Sequence, residues 1–134
     1  MPKKIVFDSQ PLLSYFLQEE NTEKVENLIS QVEKGTHEGY INIVNLIELR
    51  YVLVKAGKDL AEETLTGSGI RIVPLIVGDY VWKIAAELKA SYAISLADAC
   101  AAAAAISLDC PLVVGADPEI KSLEAAGLIK IIRV

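Results

Sequence analysis

Short, almost wholly apolar runs separated by stretches of helical spacing are the feature that most restricts the fold of this chain. IVF (5–7), YINI (40–43), IRIVPL (70–75), PLVV (111–114) and LIKIIRV (128–134) read as strands. They are near-continuously apolar rather than alternating, as expected of strands buried on both faces, and hence of a parallel sheet covered by helices. The covers lie between them. Ser9 and Pro11 open a helix with Leu12, Leu13, Phe16 and Leu17 on one side. NTEKVENLISQVEKG carries Val25, Leu28, Ile29 and Val32 at helical spacing and stops at Gly35. VNLIELRYVLVKAG, KDLAEETLTGSG, the stretch from Asp79 to Ser91, the stretch from Ser95 to Leu108, and IKSLEAAG complete the helices. Alternation of this kind predicts an α/β protein with a central, mostly parallel sheet of four to five strands.

With 134 residues, the sequence reads as one domain spanning 1–134. A chain of this size buries roughly two-thirds of its unfolded surface and needs no staple. Cys100 and Cys110 form no CxxC, so zinc is not expected, and both read as reduced, buried thiols. MPKKIVFD lacks the apolar core of a signal peptide, and no run approaches the ~20 apolar residues of a membrane span. The expectation is a soluble, cytoplasmic protein. The formal net charge of −5 argues against a broad basic nucleic-acid clamp. It leaves room for an enzyme whose acidic site is filled by cations.

Four acids stand where such a site would lie. In open parallel sheets, ligands bind beyond the carboxyl ends of the strands. Asp8 follows IVF, and Asp117 follows PLVV after Gly115 and Ala116. Asp98 sits in ISLADACAAAAAIS, where small alanines make a slim helix able to bring its first turn close to the strand ends. Glu48 lies inside INIVNLIELRYVL, where an unpaired carboxylate is costly to bury unless it meets a cation. Each also has a plain structural reading. Asp8 suits a helix N-cap, Asp117 a turn before Pro118, Asp98 a capping box with Ser95, and Glu48 an exposed helix edge. Carboxylates brought together repel one another unless a divalent ion lies between them, and oxygen donors favour Mg²⁺ or Mn²⁺.

These segments resemble the PIN-domain family, and most of all its short toxins of the VapC type. The resemblance rests on IVFDSQPLLSYF, on INIVNLIELRYVL, and on ISLADACAAAAAISLDCPLVVGADPEI with its S-L-A-D-A start. It implies a three-layer αβα PIN-like fold and a metal-dependent endoribonuclease. Asp8, Glu48, Asp98 and Asp117 would be the catalytic acids and would hold one or two Mg²⁺ or Mn²⁺ ions. Cleavage of an RNA substrate would leave a 5′-phosphate and a 3′-hydroxyl. A cognate antitoxin protein and a homodimer are the partners implied. One departure is Gly115, where the family often carries Thr or Ser. Glu119 is an auxiliary ligand or a solvated helix-start acid, and Arg50 and Lys121 are candidates for a basic rim. His37, in EKGTHEG, reads as a surface loop residue without a catalytic role. No GxGxxG follows the first strand, so a dinucleotide site is disfavoured. The alternative is a PIN-fold module that binds RNA or protein without cutting.

Overall fold

The computed structural model describes residues 2–58, 65, 67–73, 80–116 and 118–134. In chain order the elements are β1 (Lys3–Phe7), α1 (Ser9–Phe16), α2 (Glu23–Lys34), β2 (His37–Asn42), α3 (Ile43–Lys55), β3 (Arg71–Val73), α4 (Val81–Ser91), α5 (Leu96–Leu108), β4 (Leu112–Val114), α6 (Lys121–Ala125) and β5 (Ile131–Arg133). All five strands are parallel, in the order β3-β2-β1-β4-β5. The chain builds outward from β1 to β2 and β3, then returns to the other side of β1 for β4 and β5. The crevice of a parallel sheet opens at that reversal, here between β1 and β4.

Successive strand residues point to opposite faces, and the core divides accordingly. Ile5, Phe7, Ile41 and Val113 join Leu12 of α1, Val25, Ile29 and Val32 of α2, and Leu46, Leu49 and Leu53 of α3 in one cluster. Val6, Leu112 and Val114 join Val81, Ala85 and Leu88 of α4, the alanines of α5 and Leu123 of α6 in the other. Both faces of the sheet are therefore covered, which is why its strands read as continuous apolar runs. Gly39 answers a packing need on the first face. A Cβ there would lie 2.9 Å from Val32 Cγ2 and 3.2 Å from the Phe7 ring, so the glycine lets α2 lie close against β2.

The slim helix expected from the alanine run is α5. Ala99 and Ala101 to Ala105 are all buried, with small side chains wherever the helix meets the sheet or α4. Cys100 and Cys110 are free thiols, and burial raises both above their usual pKa. For Cys110 the rise reaches about 11, with the Lys4 charge opposing it and Asp109 adding to it.

His37 corrects one expectation. It is not a loop residue but the first residue of β2, opposite Lys3 of β1. Strand pairing recruits polar residues at both strand starts, Lys3 and Lys4 on one side and His37 and Glu38 on the other, where composition alone reads a loop. The helix expected in KDLAEETLTGSG falls mostly outside the described residues, as do Pro74, Leu75 and Asp79. Among the described residues no helix is long and apolar enough to cross a membrane.

Candidate metal centre at the strand ends

β1, β2 and β4 end nearly level, with Phe7 opposite both Ile41 and Val113. Asp8 is the next residue. Its N–H donates to the Val113 carbonyl at 2.9 Å, which extends the β1–β4 pairing by one bond and fixes the backbone beneath the carboxylate. Asp8 occupies the N-cap position of α1, but its side chain makes no capping hydrogen bond. It is only 2% exposed.

Glu48 reaches the same place from α3. The start of that helix is fixed by two fully buried asparagines. Asn42 accepts the Val44 N–H at 2.9 Å as the N-cap. Asn45 donates from Nδ2 to the Ala97 carbonyl at 3.0 Å, tying α3 to the residue before Asp98. Glu48 lies one turn beyond Asn45 and is half-buried. The Ser9 hydroxyl donates to Glu48 Oε1. Ser9 is thus not the helix cap its position suggests; it is the first residue of α1 and holds the Glu48 carboxylate with its hydroxyl.

Asp98 lies in the first turn of α5 and is 6% exposed. Ser95 Oγ accepts the Asp98 N–H at 3.0 Å, which is one half of a capping box. The other half comes from elsewhere in the chain, because the Ser95 N–H donates to Glu119 Oε2 at 3.1 Å. Glu119 therefore supports the start of α5, a role no local pattern could reveal across 24 positions.

Asp8, Glu48, Asp98 and Glu119 line one cavity of about 310 Å³, with Leu13, Leu49 and Val52 as its apolar wall. Neither Arg50 nor Lys121 lines it, and no Lys, Arg or His does so among the described residues. Its donors are carboxylates, hydroxyls and one amide, without sulfur or imidazole. That set matches the preference of Mg²⁺ and Mn²⁺ for oxygen ligands. Four formal negative charges around one space also call for a cation. Among the described residues, no three acids, His or Cys stand close enough to form a ligand group by themselves. Asp117, expected from the sequence to join them, lies outside the described residues.

Residues 5–126 match the family model of the PIN domain. Similar solved structures include a toxin–antitoxin complex from Klebsiella pneumoniae, 16% identical, covering 96% of this chain and 95% of that one at a TM-score of 0.70. VapBC2 from Rickettsia felis, bound to a DNA fragment from its promoter, is 18% identical over 98% of both chains at 0.70. DNA-bound VapBC from Salmonella typhimurium is 22% identical, over 99% of this chain and 98% of that one, at 0.58. At these identities the likeness is one of fold. No curated protein matches the sequence.

Proposed function

Because the chain belongs to the PIN-domain family, we propose that it is a metal-dependent endoribonuclease, a VapC-like toxin of a toxin–antitoxin pair, with residues 1–134 as one catalytic domain working in the cytoplasm. The observation that carries this reading is the convergence of Asp8, Glu48 and Asp98, from three elements far apart in sequence, on one cavity at the β1–β4 crevice.

In this reading Asp8, Glu48, Asp98 and Asp117 hold one or two Mg²⁺ or Mn²⁺ ions, with Glu119 close by. A divalent ion held there supplies Lewis-acid activation of water and neutralises the charge that develops on the phosphate. The chain's own residues do the positioning. Asp8 is fixed by its backbone bond to β4, and Glu48 is oriented by Ser9. Asn45 and Glu119 hold the start of α5, and with it Asp98, against α3 and the 118–120 turn.

The test is direct. An unstructured RNA incubated with the protein and Mn²⁺ is expected to be cut into products with 5′-phosphate ends. EDTA should stop the reaction and excess Mn²⁺ restore it. If several unstructured RNAs survive intact in Mn²⁺, the nuclease reading fails and the non-cutting RNA- or protein-binding module takes its place.

The toxin–antitoxin complexes among the similar structures support an antitoxin protein as a partner. A homodimer is supported by α3 itself, whose Ile47, Tyr51 and Val54 are 61%, 49% and 49% exposed along one stripe. Sedimentation at tens of micromolar is expected to give a dimer, and a monomer there would rule it out.

A further inference from the structure

Gly115 poses a question that backbone geometry does not answer. Gly35, Gly57, Gly69 and Gly127 all adopt the left-handed φ that favours glycine, and Gly115 does not. What Gly115 supplies is space. A Cβ at this position would lie 3.2 Å from Gln10 Cγ and 3.9 Å from Gln10 Cβ. The Gln10 side chain therefore lies across the end of β4, where any Cβ at position 115 would crowd it and push it aside, and it lines the cavity beside Asp8 and Glu48.

Its chemistry differs from that of its neighbours. Among the described cavity residues Gln10 brings the single side-chain N–H donor. Ser9 gives its hydroxyl hydrogen to Glu48, whereas Ser95 accepts the Asp98 N–H and, like Tyr51, keeps a hydroxyl hydrogen, so Gln10 differs from them in offering two amide hydrogens from one neutral group. Among the described residues, the one side-chain bond of the Gln10 amide runs from Nε2 to Ser14 Oγ at 3.5 Å, the outer limit of a hydrogen bond, so little of its donor capacity is spent there. A phosphodiester entering an acidic cavity needs a donor for its non-bridging oxygens. A Lys or Arg in this position would pair with the carboxylates and compete with the cation. A neutral amide donates without doing so.

Building on the nuclease reading of this cavity, we propose that Gln10 is a substrate-contacting residue, its Nε2 donating to a non-bridging oxygen of the RNA phosphodiester, and that Gly115 is the residue that makes room for it. Gln10 is exposed in the first turn of α1, so truncation should leave the fold intact.

The experiment compares wild type with Gln10→Ala, Gln10→Glu, Gly115→Val and the Gln10→Ala/Gly115→Val double variant. It measures kcat/KM on an unstructured RNA 12-mer, affinity for a 5′-fluorescein form of that RNA, and the rise in melting temperature caused by Mn²⁺. Gln10→Ala should lower both affinity and kcat/KM about tenfold, the value of one hydrogen bond to a charged group. Its Mn²⁺ response should match wild type, since the ion site is intact. Gln10→Glu should lose more than Gln10→Ala, because a further carboxylate then faces the phosphate. Gly115→Val should lose as much as Gln10→Ala, and the double variant little beyond either. Wild-type affinity and kcat/KM in Gln10→Ala, or losses that simply add in the double variant, overturn the assignment while the nuclease reading stands. A wild type that binds the RNA but does not cut it removes the nuclease reading, and the same tenfold losses in affinity would still support Gln10. A wild type that neither binds nor cuts removes both.

Discussion

Replacing Asp8 or Asp98 with asparagine is expected to abolish RNA cleavage and leave the far-ultraviolet circular dichroism unchanged. Both substitutions keep the size of the side chain and remove its charge. Neither removes a cap. The Asp8 side chain makes no capping bond to α1. The Asp98 contribution to its box comes from its backbone N–H, while the Ser95 N–H is satisfied by Glu119. The structural cost for Asp98→Asn includes the loss of one negative charge in a helix first turn, about 0.3–1 kcal/mol. The catalytic cost should be far larger. Groups that merely orient a metal ligand are worth about 10- to 100-fold, so loss of a ligand itself should exceed about 100-fold. Glu119→Gln offers the contrast, because an amide oxygen still accepts the Ser95 N–H and the loss should be smaller. Wild-type cleavage rates in both Asp8→Asn and Asp98→Asn, measured with Mn²⁺ restored after demetallation, would sink the catalytic assignment.

What the sequence discloses about this molecule follows from which interactions are local. Burial on both faces leaves its mark on the inner residues of the strands, so the parallel strands are readable from apolar runs, and the alanines of α5 announce a helix packed closely on all sides. Polar strand starts leave no such mark. His37 and Glu38 join β2 because Lys3 and Lys4 stand beside them, not because of their own propensity. The same divide runs through the site. Asp8 stands out as a carboxylate ending a buried strand, and Glu48 as a charge in an apolar helix. Asp98 is ambiguous locally, since S-x-x-D reads as a capping box. Only the 24-residue reach of Glu119 to the Ser95 N–H shows that the box is completed from elsewhere. Ser9 on Glu48 and Asn45 on the Ala97 carbonyl, 39 and 52 positions apart in sequence, are equally invisible until the chain is folded. Gly115 is legible as a departure from the family pattern, but its packing against Gln10 belongs to the folded chain alone.

Manganese should stabilise the wild type far more than Asp98→Asn. Asp8 and Asp98 are nearly buried, and with Glu48 and Glu119 they line one cavity that has no Lys, Arg or His among its described lining residues. In the unfolded chain these carboxylates separate, so an ion that bridges them binds the folded state selectively. Binding of that kind adds about 2.7 kcal/mol at a hundred times the dissociation constant. For a domain of this size, that corresponds to roughly 10 °C in melting temperature. Asp98→Asn exchanges an anionic oxygen for a neutral amide, weakening the ion's hold, and should show only a small part of this rise. Without metal the order should narrow or reverse, because the variant loses one of four mutually repelling charges. Thermal unfolding of both proteins, each in EDTA and in millimolar Mn²⁺, separates the possibilities. A Mn²⁺ rise confined largely to the wild type marks a metal centre that includes Asp98. Equal rises in the two proteins, or none in either, would leave Asp98 as no more than a first-turn helix acid.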